Sequence, residues 1–167
     1  TPPYSAGFEK ILGIILQRAA KGVFGFGGKR ARFANRLQHG GVLGGQARTA
    51  FAAVRPPGHH ATPDVPGGFC LFSNAAIGAL HARAAYGVRR IALIDFDVHH
   101  GQGTQAVVET DPDLFYASSH QYPLYPGTGS PRERGIDGNV VNIPLPAGSG
   151  SAAFRTAWAD RLLPALD

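Results

Sequence analysis

The sequence is poor in cysteine, in charged residues and in long apolar runs. Cys70 is its single cysteine, which excludes an internal disulfide and favours a reducing compartment. Charged residues make up 16% of the 167 residues and hydrophobic ones 44%, as in an ordinary globular domain. The apolar run Ile11 to Leu16 is too short to span a bilayer and lacks the features of a signal peptide. We therefore predict a cytoplasmic protein without a membrane partner.

Acidic residues are scarce in the first 60 residues, where nine Lys and Arg face only Glu9. Residues 61–167 hold seven Lys and Arg against ten acids, so the net charge of +5 arises in the front segment. Residues 21–30 mix glycine, phenylalanine and cations without periodicity, a combination that can stack on and neutralise single-stranded nucleic acid. An irregular basic loop is the favoured interpretation, and nucleic acid is not expected as a partner.

Hydrophobic spacing and turn residues predict an alternation of strands and helices. The predicted helices begin at Ser5, Ser73, Gln102 and Ser151, with Ser5 and Ser151 as N-caps, and they end near Gly22, Gly87, Glu109 and Leu163. The predicted strands are Thr49–Val54, Arg90–Asp95, Leu114–Ser118 and Val140–Ile143. This alternation predicts an α/β fold in which helices cover both faces of a parallel sheet.

The stretch from Ile91 to Gly101 changes abruptly from apolar to polar. Its apolar part is typical of a strand buried on both faces. Asp95, Asp97 and His99 then alternate, so in extended backbone they point to one side. Carboxylate and imidazole ligands suit a metal such as zinc, and open α/β sheets place sites where strands end. We predict a metal site here, supported by the neighbouring His100; the alternative is an Asp-rich loop that caps the next helix.

The loop Arg55-Pro-Pro-Gly-His-His precedes this strand and presents two adjacent imidazoles, His59 and His60. The prolines restrict the backbone, and histidine titrates in a range suited to proton transfer near neutral pH. Chance surface pairs also occur, so the pair alone favours catalysis only slightly.

Four motifs in order carry a resemblance to a known family: RPPGHHA, PGGFCLFSNAAIG, IDFDVHHGQGTQ and SSHQYPLYPGTG. Residues 42–167 resemble part of the zinc-dependent histone deacetylases, which include acetylpolyamine amidohydrolases and acetoin-utilisation-type proteins. Residues 1–41 form an atypical basic segment without such a match. The resemblance implies an arginase-like α/β fold, of which about half is expected here, and zinc-dependent hydrolysis of an acetamide.

The resemblance also implies roles for particular residues. Asp97 and His99 correspond to two zinc ligands, and His60 and His59 to the general base and its supporting or acidic partner. Which histidine moves the proton is left open. Asp95 corresponds to the carboxylate that orients His59. Gln102 occupies the position where relatives carry Asp or Asn beside His60, and a neutral Gln should leave His60 less basic.

The substrate contacts and a second cation follow from the same resemblance. Phe69 and Tyr125 correspond to the aromatic walls of a substrate tunnel, and Gly68 to a carbonyl that receives the substrate amide. Ordinary loop packing is the alternative for both aromatics. Ser118 and Ser119, with Asp95, Asp97 and His99, resemble a potassium site. Cys70 is a weak candidate nucleophile. Three further histidines are expected to be structural or to lie on the surface: His39, His81 and His120.

The family's third zinc ligand and its oxyanion-stabilising tyrosine have no counterpart in these motifs. We therefore expect part of a larger enzyme, or a truncated relative with little activity. Its sheet should have an unpaired edge and an uncovered apolar face, which a second copy or a further segment would cover. The alternative function is a non-catalytic metal-, partner- or nucleic-acid-binding fragment. A metallophosphoesterase also begins with Asp-x-His, but its Gly-Asp and Gly-Asn-His motifs are absent from the sequence.

Overall fold

Four parallel strands form the centre of the fold. The computed structural model describes residues 10–13, 42–45 and 55–166. The sheet order is β1-β2-β3-β4, and every neighbouring pair is parallel. The strands are β1 Lys10–Gly13, β2 Ile91–Asp95, β3 Leu114–Gln121 and β4 Val140–Leu145. The predicted parallel α/β sheet is confirmed.

One helix precedes β2, a second connects β2 to β3, and a third follows β4, whereas the connection from β3 to β4 is a loop with a 3₁₀ turn, Ile136–Gly138. The helices are α1 Asn74–Tyr86, α2 Gln102–Val108 and α3 Ser151–Ala157, the last continuing through a π-helical turn, Trp158–Leu162, and a 3₁₀ turn, Leu163–Ala165. Helix α1 ends where predicted, because Gly87 adopts a left-handed φ of 69° and its N–H donates to the carbonyl of Arg83. The cap of α3 is Gly150, and the predicted cap Ser151 is its first helical residue.

The prediction of a helix from Ser5 to Gly22 is wrong at residues 10–13. These four residues form β1, with Ile11 opposite Ala92 and Leu12 opposite Leu93 of β2. A short apolar run fits strand and helix periodicity alike, and the open edge of β2 decides between them by pairing with the backbone. The predicted strand Thr49–Val54 and the basic segment 21–41 lie outside the described residues.

Side chains alternate along the strands and so divide the core into two layers. Ile91 and Leu93 face the layer that contains α1 and α2, whereas Ala92 and Ile94 face the layer that contains α3. The first layer also contains Ala75, Ala79, Ala82, Val108, Leu114, Tyr116 and Val140, and the second Phe115, Ala117, Ile143, Ala157 and Leu162. Each large side chain buried in this way contributes about 1.5–3 kcal/mol. Helices therefore lie on both faces, as predicted, and the expected uncovered apolar face has no support in β2 and β3, whose apolar residues are buried.

The carboxyl end of the sheet brings polar residues together. Asp95 ends β2 and lies opposite Ser118 of β3, and both are buried. Within the described ranges, no strand pairs with the outer edge of β4. None of the helices in these ranges is long and apolar enough to cross a membrane.

Candidate active site

The loop that carries His59 and His60 is fastened on two sides. Asn74, the first residue of α1, donates from its side-chain amide to the carbonyls of Pro56 and Pro57, at 2.9 Å each. The carbonyl of His59 accepts from the first turn of α2, from the N–H of Gly103 at 2.9 Å and that of Thr104 at 3.1 Å. The histidine positions are therefore set by two helix N-termini.

Glycine 58 fits this loop because no side chain could occupy its place. Its φ is 117°, and a Cβ there would lie 2.7 Å from the backbone nitrogen of Asn74. Its N–H donates to Sγ of the buried Cys70 at 3.0 Å. Cys70 thus joins the histidine loop to the loop that carries Phe69, and its contacts are structural.

His59 forms a buried pair with Asp95. Its Nδ1–H donates to Oδ2 of Asp95 at 2.9 Å, and the hydroxyl of Tyr116 donates to the same oxygen at 3.1 Å. Burial alone would lower the pKa of His59, but the hydrogen bond and charge of Asp95, with the charge of Asp97, outweigh burial and raise the pKa. His59 therefore binds a proton more readily than a free histidine, and its Nε2 lies 4.0 Å from Oδ1 of Asp97.

His60 pairs with a neutral partner. Its Nδ1 lies 2.7 Å from Oε1 of Gln102, whose amide nitrogen donates to the carbonyl of His60 at 3.2 Å. Since an amide oxygen only accepts, the proton sits on Nδ1 and the lone pair on Nε2. Burial and then the charge of His59 lower the pKa of His60, and the bond to Gln102 opposes them only in part. A neutral His60 with a free Nε2 lone pair has the state of a general base.

Asp97 and His99 turn their ligand atoms toward each other. Nδ1 of His99 lies 2.9 Å from Oδ1 of Asp97, which also accepts the backbone N–H of His99 at 2.8 Å. Two atoms that bind one tetrahedral zinc at about 2.0–2.2 Å lie roughly 3.4 Å apart, so a small change in side-chain angle would admit the ion. Both side chains are partly exposed, at 21% and 38%. Among the described residues, no group of three or more His, Cys, Asp or Glu could hold a metal, and the assignment of Asp97 and His99 as zinc ligands stays a prediction.

Tyr125 lies beside this group, whereas Phe69 points into solvent. The ring of Tyr125 meets that of His60 edge-on at 5.0 Å and that of His99 at 6.4 Å. Phe69 is 97% exposed and has a positive φ of 63°. Gly68 packs directly under His60, where a Cβ would lie 2.2 Å from the imidazole ring. In the described part of the chain, no ring contact joins Phe69 to Tyr125, and the tunnel wall stays a prediction.

The hydroxyls predicted to help bind potassium have other partners. Oγ of Ser118 lies 2.9 Å from Nδ1 of His120, and Oγ of Ser119 accepts from the indole N–H of Trp158 at 3.0 Å. The potassium site has no support in these contacts and stays a prediction.

The sequence matches a family over most of its length. Residues 33–167 match the family model described as "Histone deacetylase domain". The chain belongs to the histone deacetylase family.

Curated relatives and solved structures of the deacetylase family resemble the chain closely. It is 50% identical to "Histone deacetylase 14, chloroplastic" of Arabidopsis thaliana, over 68% of the chain and 28% of that protein. It is 43% identical to "Polyamine deacetylase HDAC10" of Rattus norvegicus, over 74% of the chain and 22% of that protein. The HDA15 HD domain superposes with a TM-score of 0.76 at 39% identity, covering 81% of this chain and 42% of that one. An acetylpolyamine aminohydrolase from Burkholderia pseudomallei gives 0.74 at 41%, covering 80% and 40%. The chain thus spans less than half the length of each of these relatives.

His100, which the sequence places among the metal-type groups of this deacetylase motif, points elsewhere. It is 1% exposed, and its ring contacts that of His120 at 4.8 Å. Nε2 of His100 lies 2.9 Å from Oε1 of Gln105, and its Nδ1 lies 2.8 Å from the hydroxyl of Thr128. Sequence reasoning missed this cluster because Gln105 and Thr128 belong to no motif of known chemistry. The expectation that His120 is structural agrees with its burial.

Proposed function

We propose that the chain is the part of a zinc-dependent deacetylase that supplies the acid–base histidines and two zinc ligands. The observation that carries the proposal is the contrast between neighbours: His59 is bonded to a carboxylate and His60 to a neutral amide. Opposite shifts of pKa in adjacent groups are the arrangement that acid–base catalysis uses. Membership of a deacetylase family supports the same reaction class.

The proposed substrate is an acetylated alkyl amine, either an acetyl-lysine side chain or an acetylated polyamine. Relatives of this chain include proteins named histone deacetylase and polyamine deacetylase, so both substrate kinds agree with the family. Tyr125 lies beside the histidines and offers an aromatic surface to an alkyl arm.

In this mechanism Asp97 and His99 would hold zinc. The chemistry that zinc supplies in such a site is activation of water and polarisation of the amide carbonyl. His60 takes the proton of the attacking water on Nε2, while Gln102 holds its ring in place. His59, kept protonated more readily by Asp95, stabilises developing negative charge or donates to the leaving amine.

Two elements of the mechanism would come from outside the described residues. A catalytic zinc site ordinarily has three protein ligands, and the described ranges supply two. An oxyanion donor is worth about 100- to 1,000-fold in rate, so the proposed reaction depends on a donor from outside the described ranges.

The test compares this chain with a version extended to the length of its relatives. Zinc content is measured together with hydrolysis of an acetyl-lysine peptide and of an acetylated polyamine. We expect zinc and activity in the extended protein and weak activity in the chain alone. If the extended protein has neither bound zinc nor hydrolytic activity, the alternative function, a non-catalytic binding fragment, is favoured. The cytoplasmic location, the potassium ion and a second copy covering the sheet stay predictions.

A further inference from the structure

A chain of hydrogen bonds starts at a carboxylate in the loop after β3. Both oxygens of Glu133 accept the N–H of Gly129 at 3.1 Å, and one also accepts that of Ser130 at 2.9 Å. The side-chain amide of Gln105 donates to Glu133 at 2.8 Å. A single carboxylate thus ties the loop to helix α2.

The direction of every bond in this chain follows from that carboxylate. Since a carboxylate only accepts, the NH₂ of Gln105 must face Glu133 and its oxygen must face His100. That oxygen requires the proton of His100 on Nε2. Nδ1 of His100 then accepts the hydroxyl proton of Thr128.

Residues 122–130, which we call the Thr128 loop, end in these bonds and carry Tyr125. Thr128, Gly129 and Ser130 are bonded consecutively, and the carbonyl of Gly129 also accepts from Nε2 of His120 at 3.1 Å. At its other end the loop is held by the N–H of Tyr122, which donates to the carbonyl of Leu145 at 2.9 Å. Tyr125 lies between these two anchored ends.

We propose that Glu133 is a positioning residue that acts through Gln105 and His100 to hold the Thr128 loop and so to place Tyr125 against His60. The importance of Tyr125 for a substrate rests on the proposed function, whereas the placement itself does not. The expectation for catalysis is a higher KM, with kcat less affected, when Glu133 is changed.

The direct test is Glu133→Gln, read by ¹⁵N NMR of the histidine rings in the full chain. An amide at position 133 must turn its NH₂ either toward the NH₂ of Gln105 or toward the N–H groups of Gly129 and Ser130. In the first case Gln105 turns, together with Asn142, whose amide donates to the same oxygen at 2.8 Å, and Nε2 of His100 must lose its proton to Nδ1. In the second case the loop loses the acceptor that holds it. We expect the first case to exchange the protonated and unprotonated types of ¹⁵N shift between the two nitrogens of His100, and both cases to move the His60 signals. A change that only loosened the fold would not reverse this tautomer.

The matched control is Glu109→Gln, because the carboxylate of Glu109 also accepts from the amide of Gln105, at 3.5 Å, whereas the N–H groups of Gly129 and Ser130 donate to Glu133. The tautomer of His100 should be unchanged in this variant. Equal changes of the His100 and His60 signals in both variants, or no change in either, would overturn the proposal.

The position of Tyr125 is read from the ring protons of His60, which lie near the Tyr125 ring. Tyr125→Leu gives the chemical shifts of the His60 protons in the absence of the Tyr125 ring. Glu133→Gln should move the His60 chemical shifts toward those values. If Glu133→Gln does not fold, Thr128→Val removes the hydroxyl that anchors the loop and should move the same signals, whereas Thr128→Ser should restore them. Unmoved His60 signals in Thr128→Val would contradict the proposal. Because these readouts need no substrate, an inactive extended protein would reject the proposed function and leave this test intact.

Discussion

The pairs His59–His60 and His100–His120 are both buried, and in both the rings are in contact, at 3.9 Å and 4.8 Å. In the second pair all four ring nitrogens have oxygen partners. In the first pair the two Nδ1 atoms have partners, and within the described ranges no hydrogen bond is made to either Nε2. The same residue type is therefore available for proton transfer in one place and held as a structural element in the other.

The difference comes from the groups around each pair and not from burial. Asp95 and Gln102 bind the two Nδ1 atoms of the first pair. Nε2 of His59 lies 4.0 Å from Oδ1 of Asp97, and the ring of His60 lies 5.8 Å from that of His99. The second pair is closed by the Thr128 loop, and burial followed by the charge of His120 lowers the pKa of His100 to about 4. A buried histidine is thus a candidate catalyst only where one nitrogen is free.

The largest effect on catalysis should come from replacing His60, the proposed general base of the His59–His60 pair. His60→Phe in the extended enzyme is expected to lower kcat by about 100- to 10,000-fold, because general-base catalysis is lost. Because His60 is buried and bonded to Gln102, the melting temperature should also fall, so kcat is compared at a temperature where both proteins are folded. Steady-state kinetics and thermal unfolding test both statements. An active His60→Phe enzyme would assign the base elsewhere.

Zinc should bind beside the His59–His60 pair, at Asp97 and His99, and not at the His100–His120 pair. Asp97→Asn is expected to weaken zinc binding by at least about 10- to 100-fold, the loss that follows when even an outer partner of a ligand is removed. Competition with a chelator dye measures this affinity. Asp111→Asn is the control, because its carboxylate pairs with Arg83 away from the site. Equal loss in the two variants would refute the assignment of Asp97.

The burial of His100 should make the free energy of unfolding depend on pH. The pKa of His100 falls from its usual 6.5 to about 4 in the folded protein, so the unfolded chain binds more protons between these values. The free energy of unfolding should therefore be largest above pH 6.5 and fall as the pH drops toward 4, by up to about 3 kcal/mol. Urea unfolding of the chelator-treated chain at several pH values tests this. In His100→Gln the dependence should be clearly flatter, and an unchanged slope would assign it to other groups.

The smallest effect expected is a shift of a pH profile. Gln102→Asp places a negative charge against Nδ1 of His60 and should raise the pKa of that histidine by roughly one unit. Because the base must be neutral, the acidic limb of the kcat profile should move to higher pH. Gln102→Asn, which is neutral, serves as the control. A limb that moves equally in both variants would show that charge is not the cause.

Much of the fold could be predicted from local pattern. The helix from residue 74 to Gly87 and the strands beginning at 91, 114 and 140 follow from apolar spacing and turn residues. The strand at Lys10–Gly13 could not, because four residues with an apolar centre fit several structures and the partner β2 lies some 80 residues away. Pairing at a distance of this kind leaves no periodic signal in the sequence.

The candidate site was predictable in part for the same reason. His59, His60, Asp97 and His99 stand in short motifs whose residue types indicate their chemistry. Asn74, Gln105, Thr128 and Glu133 are common polar residues that become partners only when α1, α2 and the loop after β3 meet at the edge of the sheet.

The sequence by itself determined the family, the parallel α/β architecture and which residue types stand at the ends of the strands, because local spacing and motif order express these properties. Only the tertiary structure decided which histidine nitrogens are free. His99 and His100 are adjacent in the chain, yet one faces Asp97 and the other a buried amide. The reason is that a side chain's protonation and direction depend on the partners that distant segments bring to it.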